Sequence, residues 1–495
     1  MDTEDAGRQQ LNRPLILASV MLGMFLAAIE ATIVATAIPS IVADLGGFSS
    51  YSWVFSAFLL TNASTVLIFG KLSDIYGRKS IFVIGTTIFL VGSTLSGFST
   101  SMAMLIISRF VQGVGAGALM PMATTIVGDI YDKEERAKIQ GYLSSVWGIS
   151  AVTGPLLGGF FVDMLSWRFV FWMNIPLGIL AMAGILIFLR ENVDRSKQSI
   201  DYVGSILIVI SVCSLMFILV EGGVNIAWDS ALMFILASTT SIGFGLFLYQ
   251  EKHAVQPMMP FFLWRYPIIR MANLATLTTG MIIIGVSSYL PAFVQGVMGY
   301  SATIAGFTLT AMSIGWPLFS TLAGRLLLKI GYRNTSLIGG LFLLIGAIFF
   351  FLLSPEKGPL WAGTGSFFIG AGMGMTSTSF IVNIQNVVNW DMRGIATASN
   401  MFMRSLGSAL GAALLGGMLN NRIQSYLNHH GMTDEADIDT VNQLLDPNIA
   451  VSLPEKIKSV LQDSLTSGLH TVYIGILILS VVSFLIIIMM PKREL

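Results

Sequence analysis

Long apolar runs alternate along this chain with short polar breaks. Leu15 to Pro39, LILASVMLGMFLAAIEATIVATAIP, is the first of these runs. At about 1.5 Å of rise per residue it is long enough to cross roughly 30 Å of hydrocarbon. The same pattern predicts helices over 15–38, 51–70, 81–98, 102–127, 139–162, 169–189 and 202–220, then over 231–249, 271–293, 302–324, 336–353, 361–385, 398–419 and 470–490. The longest break, Asn420 to Leu469, contains VNQLLDPNIAVSLPEKIKSVLQDSL, a pattern that predicts two short amphipathic helices broken near Pro447 and Pro454. The opening MDTEDAGRQQLNRP is polar, and the run behind it is too long for a signal-peptide core, so it reads as a retained first helix.

With 54% hydrophobic and 11% charged residues, 495 residues describe an all-α polytopic membrane protein with 14 transmembrane helices and not a soluble domain. Lys and Arg number 27, as do Asp and Glu, and no basic stripe suggests nucleic acid. A lone Cys213 excludes a disulfide framework and a cysteine metal site. Placing the N-terminus in the cytoplasm puts 20 Lys and Arg in inner segments against 5 in outer ones, as the positive-inside rule asks. The expected arrangement is therefore multi-pass in the cytoplasmic (inner) membrane, with both termini cytoplasmic and the 420–469 loop outside. Tryptophans at 53, 167, 172, 228 and 361 gather at the expected outer edge.

Among fourteen apolar segments only the first carries an acid away from its ends, Glu30. A charge at membrane depth is costly, so such residues usually face a wet cavity and mark a proton or ligand path; the alternative is a neutral Glu hydrogen-bonded to a neighbouring helix for packing. Arg109 in the fourth helix needs an acceptor, either a backbone carbonyl or a carboxylate. Counted from the outer ends, Glu30 and Arg109 lie at equal depth, roughly 11–12 Å in by helical rise, which permits contact.

A weak internal repeat is also present. GKLSDIYGRK (Gly70 to Lys79) and GRLLLKIGYR (Gly324 to Arg333) both place Gly first and eighth and a base second and tenth. The two copies lie eight predicted helices apart, so six-helix halves leave two extra helices between them. The first copy resembles the loop between helices 2 and 3 of the major facilitator superfamily, with Gly70, Leu72, Ser73, Asp74, Gly77, Arg78 and Lys79 in its pattern. Its glycines are expected to let helix ends approach, and Asp74 to pair with a base or cap a helix at a cytoplasmic gate; a plain positive-inside anchor is the alternative.

Arg109, Gln112, Gly113 and Gly117 are similar to that superfamily's R-x-x-Q-G element, with the two glycines forming a face for close helix contact. GISAVTGPLLGG, holding Gly148, Gly154, Pro155, Gly158 and Gly159, resembles its antiporter signature. Pro155 removes one helical hydrogen bond, so either a bendable barrier or a glycine-rich packing face accounts for this stretch. Ile29 to Pro39 and Trp167 to Pro176 resemble segments of the fourteen-helix drug:proton antiporters, with Glu30 for the usual Asp and Ala35 for Asn.

The resemblance implies two six-helix bundles, 15–189 and 271–490, the second including the 420–469 loop. Two inserted helices would lie within 190–270, and cytoplasmic tails at 1–14 and 491–495. It implies a proton-coupled multidrug efflux antiporter that exports lipophilic, often cationic compounds by alternating access, using Glu30 and Arg109 for the proton and the substrate cation. Gln112, Trp147, Trp316, Met373, Met403 and Arg404 are candidate cavity residues, although the tryptophans and methionines suit core packing equally. An exporter of one metabolite, siderophore or antibiotic shares every motif. A non-transporting sensor or scaffold is the third reading, against which stands the presence of Glu30, Asp74, Arg109 and Gly154–Pro155. No hydrolase, metalloprotease or P-loop motif occurs, so an enzyme is not expected and the energy source is the proton gradient, with no cofactor or metal. The expected partners are small substrates, protons and lipid, with the protein a monomer.

Overall fold

A computed structural model describes residues 12–131, 133–191, 201–223, 226–254, 261–388, 392–430, 438–441, 444 and 454–491. The chain runs as α1 (Arg13–Leu45), α2 (Tyr51–Tyr76), α3 (Arg78–Gly97), α4 (Met102–Ile130), α5 (Lys133–Met164), α6 (Phe169–Trp172), α7 (Asn174–Phe188), α8 (Tyr202–Glu221), α9 (Ala231–His253), α10 (Pro267–Ala292), α11 (Ala302–Phe351), α12 (Gly358–Val387), α13 (Arg393–His429) and α14 (Glu455–Ile488). α6 and α7 share one crossing. α11, at 50 residues or about 75 Å by rise, folds back at Gly331 (φ 79°, ψ 168°) into two arms. The helices therefore run along the bundle fourteen times among the described residues. Among the described residues twelve stretches are long and apolar enough to cross a membrane: α11 forms a single such stretch, and the apolar part of α5, Gly148–Met164, is short. The protein is a multi-pass membrane protein.

Several helices outrun the apolar runs that announce them, because polar turns continue a helix once it leaves the hydrocarbon. α2 runs on to Tyr76, so the expected loop after residue 70 shrinks to Gly77, whose φ of 87° only glycine adopts at no steric cost. The repeat is thus a repeat of backbone geometry, with Gly77 and Gly331 making the same left-handed break. The tenth-position base does the same work in both copies. Lys79 Nζ donates to Leu186 O (2.8 Å) and Leu189 O (2.7 Å) at the end of α7, and Arg333 Nη2 donates to Ile488 O (2.8 Å) at the end of α14. Cations there meet carbonyls left unpaired by the helix terminus. Likewise α13 reaches His429 and α14 begins at Glu455, leaving much less of 420–469 outside helices than its polarity suggests. Ile423, Leu427, Leu461 and Leu465 hold those extensions in a core shared with Val441 and Leu444. The expected break at Pro447 lies outside the described residues.

Apolar packing divides the bundle along its axis. At the end holding Leu45, Met102 and Ala302, one core joins α1, α2, α10, α11, α12, α13 and α14. At the opposite end the core splits, with one cluster confined to α1–α5 and α7 and another to the segment 261–265 with α10, α12, α13 and α14. Hydrogen bonds between the halves repeat this asymmetry. Tyr51 Oη donates to Ser288 O (2.5 Å), Gln295 Nε2 to Thr36 O (3.2 Å), Asn420 Nδ2 to Ser49 O (2.6 Å), and Thr303 N and Oγ1 to Asp163 Oδ2 (3.0 and 2.5 Å). Among the described residues the bundle is closed at this end, while toward the end that holds Arg13, Arg78 and Ile488 the cores of the two halves are separate and the bundle is parted. α8 packs against α2 and α13 and α9 packs against α8, with Trp53 Nε1 donating to Glu221 Oε1 at 2.8 Å.

Candidate functional site: a buried carboxylate network in the first half

Four helices meet around Glu30. α1 supplies the carboxylate, α4 supplies Arg109 and Gln112, α3 supplies Ser93, and α7 begins with Asn174. Arg109 Nη1 forms an ion pair with Glu30 Oε1 and donates to Gln112 Oε1 (2.7 Å), while Arg109 Nε donates to Val54 O (3.2 Å). Both acceptors anticipated for this arginine, a carboxylate and a carbonyl, are present. Its guanidinium also lies over the Phe58 ring, 4.3 Å from the centroid. Asn174 Nδ2 donates to Glu30 Oε2 (2.8 Å) and to Ser93 Oγ (2.9 Å), and Ser93 Oγ donates to Phe171 O (2.8 Å). Glu30, Gln112 and Asn174 are wholly buried and Arg109 is 1% exposed. Each carboxylate oxygen is therefore satisfied, as a charge in a low-dielectric site requires. Among the described residues Gln112 Nε2 and Asn174 Oδ1 have no hydrogen-bond partner.

Glycines bring these helices close enough. A Cβ on Gly92 would lie 2.4 Å from Gln112 N, and one on Gly113 2.4 Å from Phe58 O. Gly117 likewise faces Thr65 of α2, so Gly113 and Gly117 form the close-contact face read from their spacing. Asn174 and Ser93 are the residues sequence reasoning did not pick out. The available signal was Asn174 as the one amide inside WRFVFWMNIP; nothing marks Ser93 apart from other intrahelical serines. The first two residues of that segment anchor the far end of α1, as Trp167 Nε1 and Arg168 Nη1 each donate to Asp44 Oδ2 at 2.9 Å.

The glycines of GISAVTGPLLGG take different sides. Gly154 and Gly158 face α1, where added Cβ atoms would lie 2.0 Å from Thr32 Oγ1 and 2.7 Å from Ile33 O. Gly159 faces Thr303 of α11 at 2.6 Å, and Gly306 of α11 packs on Pro155 O at 2.4 Å. Gly148 has only Pro317 at 4.0 Å. α5 and α11 are thus pressed backbone to backbone from Gly159 to Pro155 and meet more loosely by Gly148.

At the loop of the first repeat, Arg78 pairs with Asp129 at 2.6 Å, and Glu191 accepts from the backbone N of Arg78 (2.7 Å) and of Lys79 (2.9 Å), capping α3. These contacts stay within the first half. Gly70 has nothing within 4 Å of an added Cβ, so close approach of helices does not account for it in this structure; the positive φ at Gly77 is what demands glycine. The side chains of Asp74 and Trp147 lie outside the described residues. Of the remaining candidate cavity residues, Met373 and Met403 are buried, Met373 in the shared core, whereas Trp316 and Arg404 are half-buried and adjacent, the guanidinium 5.7 Å from the ring centroid. Among the described residues no cluster of His, Cys, Asp and Glu has the makings of a metal site.

Comparison with known proteins places this geometry. The profile described as Major Facilitator Superfamily matches residues 20–412. The chain is 34% identical to Multidrug resistance protein 3 of Bacillus subtilis, over 100% of this chain and 98% of that protein. It is 32% identical to the Multidrug transporter protein MdtP of the same organism, over 98% and 94%. A bacterial homologue of the human lysosomal transporter Spinster, solved inward-facing and unoccupied, shares the fold with a TM-score of 0.70 at 16% identity, covering 97% of this chain and 98% of that one.

Proposed function

We propose that this chain, which belongs to the major facilitator superfamily and is a transporter rather than an enzyme, exports lipophilic, often cationic compounds in exchange for protons. The observation that carries the exchange is the Glu30–Arg109 pair, an acid and a base sealed at mid-helix with Asn174 and Gln112 around them. A carboxylate's proton affinity rises with burial and falls beside a cation, so a pair that separates in one state and closes in another changes proton affinity with conformation. Protonation would cancel the attraction that holds α1 to α4. The multidrug reading is supported by relatives that are named for multidrug resistance over essentially their whole length.

In this reading all fourteen crossings span the cytoplasmic membrane, with both termini inside, as the distribution of Lys and Arg suggests. The parted end of the bundle then faces the cytoplasm and the closed end faces out, which makes this the state that receives substrate from inside the cell. Gly70, Asp74, Gly77, Arg78 and Lys79 lie around the parted mouth, where a cytoplasmic gate has to close for export. A proton gradient supplies the energy, since one charge crossing 100 mV releases about 2.3 kcal/mol.

Everted membrane vesicles carrying the protein test the proposal. An imposed acidic interior should drive ethidium accumulation that collapses on adding a protonophore, while vesicles with Glu30→Gln accumulate none. Accumulation that survives the protonophore would refute proton coupling.

A further inference from the structure

Arg404 is a charge that the exchange mechanism does not use. It sits inside α13, its carbonyl packed on Gly280 of α10, and its guanidinium reaches Ser377 of α12 and Trp316 of α11. Gly280 and Trp316 both lie about 20 Å along their helices by rise, so the group is at mid-membrane depth. Among the described residues its one hydrogen-bond acceptor is Ser377 Oγ (2.7 Å), and its buried Nε has no partner. No carboxylate among the described residues pairs with it. The other guanidinium buried between helices, Arg109, is by contrast neutralised by Glu30. An arginine kept at membrane depth without a counter-ion is costly unless something else supplies the charge.

The surroundings make Arg404 reachable. Trp316 adjoins Pro317, whose ring lies at van der Waals distance (4.0 Å) from a Cβ placed on Gly148 of α5, a looser contact than those at Pro155 and Gly159. Both Arg404 and Trp316 are half-buried, so each keeps part of its surface open. The unpaired, buried Nε–H and the Nη2–H held by Ser377 form the edge that takes a carboxylate bidentately once the serine gives way, and an adjacent indole suits a flat aromatic body. We infer that Arg404, Ser377 and Trp316 form a subsite in the second half for the anionic group of aromatic substrates, so that the transporter takes zwitterionic and anionic aromatic compounds as well as cations. This subsite rests on the export reading above and adds a second charge preference to it.

Two rhodamines that differ only at one group test it. Rhodamine 110 carries a free carboxylate, and rhodamine 123 is its methyl ester. Fluorescence polarisation with purified protein in lipid nanodiscs should show both dyes binding wild type. Arg404→Gln should weaken rhodamine 110 by roughly tenfold or more, the effect of one charge-assisted contact, and change rhodamine 123 by less than twofold, which also shows that the variant is folded. Arg404→Lys should recover part of the loss, and Ser377→Ala should leave the preference for rhodamine 110 in place. Equal weakening of both dyes in Arg404→Gln, or weakening of neither, overturns the subsite and leaves export standing. Wild type that binds neither dye overturns the export reading and the subsite together.

Discussion

Replacing Glu30 by glutamine removes the charge and keeps the shape. Arg109 then retains Val54 O, Gln112 Oε1 and the Phe58 face, but loses its counter-charge in a site almost closed to water. Breaking a buried ion pair from one side costs about 3–5 kcal/mol, and three surviving contacts place this variant near the lower figure. The thermal midpoint should fall while the protein still inserts. Glu30→Asp keeps the charge and withdraws it by about 1.5 Å, one carbon–carbon bond. The long arginine can follow, but Asn174, already at 2.8 Å, cannot. Loss of that one bond to a charged group is worth about 1.5–3 kcal/mol, so turnover should fall between about tenfold and 150-fold with coupling intact. Liposomes loaded with pyranine report lumenal pH during dye transport. The Gln variant should move no protons on substrate addition and the Asp variant should move them slowly, in proportion to dye. A Gln variant that shifts lumenal pH at the native rate would show that the carboxylate is structural only.

Asn174→Ala strips one donor from Glu30 and one from Ser93, and should destabilise the protein by about 1.5–3 kcal/mol, read as a lower midpoint in a thermal-shift assay, with transport slowed but still proton-linked. Gly77→Ala forces a side chain into φ 87° and should cost about 1–2 kcal/mol, whereas Gly70→Ala, with open space around its Cβ, should leave the melting curve unchanged; equal midpoints would contradict the geometric account of the repeat. In a Cys213→Ser background, a cysteine replacing Asn428 at the end of α13 should react with an impermeant maleimide in intact cells, and one replacing Tyr76 only after permeabilisation; the reverse pattern would invert the membrane orientation.

The Glu30–Arg109 contact was legible because two charges in an apolar sequence are conspicuous and helical rise fixes their depths. Asn174 was not, since its hydrogen-bonding role depends on the packing of α7 against α1 and α3, which no local pattern encodes. The same limit explains the ends of α2, α13 and α14. Hydropathy marks where a helix leaves hydrocarbon, while the helix itself stops where a backbone break or the loss of packing stops it, as at Gly77. Arg404 stands between these cases: its charge was visible, but the absence of a partner only became meaningful once its neighbours were known.

How a proton on Glu30 would reach the closed end of the bundle follows from what α1 touches. The carboxylate network lies wholly in the first half, so no proton event there acts on the second half directly. α1 carries the carboxylate itself toward the second half, since its face beyond Glu30 carries Thr32, whose Oγ1 donates to Ser150 O of α5 (3.3 Å), and Thr36, whose carbonyl accepts from Gln295 just beyond α10 (3.2 Å). Thr36 is about 9 Å along the helix from Glu30 by rise. Gly154 and Gly158 let α5 lie directly on this face, and α5 in turn holds Thr303 of α11 through Asp163. A small rotation of α1 on release of Arg109 therefore bears at once on Gln295 and, through α5, on Thr303. Side chains at 154 or 158 would wedge α1 away from α5. On the proposed mechanism Gly154→Val should thus uncouple dye flux from the proton gradient even though it leaves Glu30, Arg109 and Asn174 untouched, and tight coupling in that variant would show that the signal does not travel along α1.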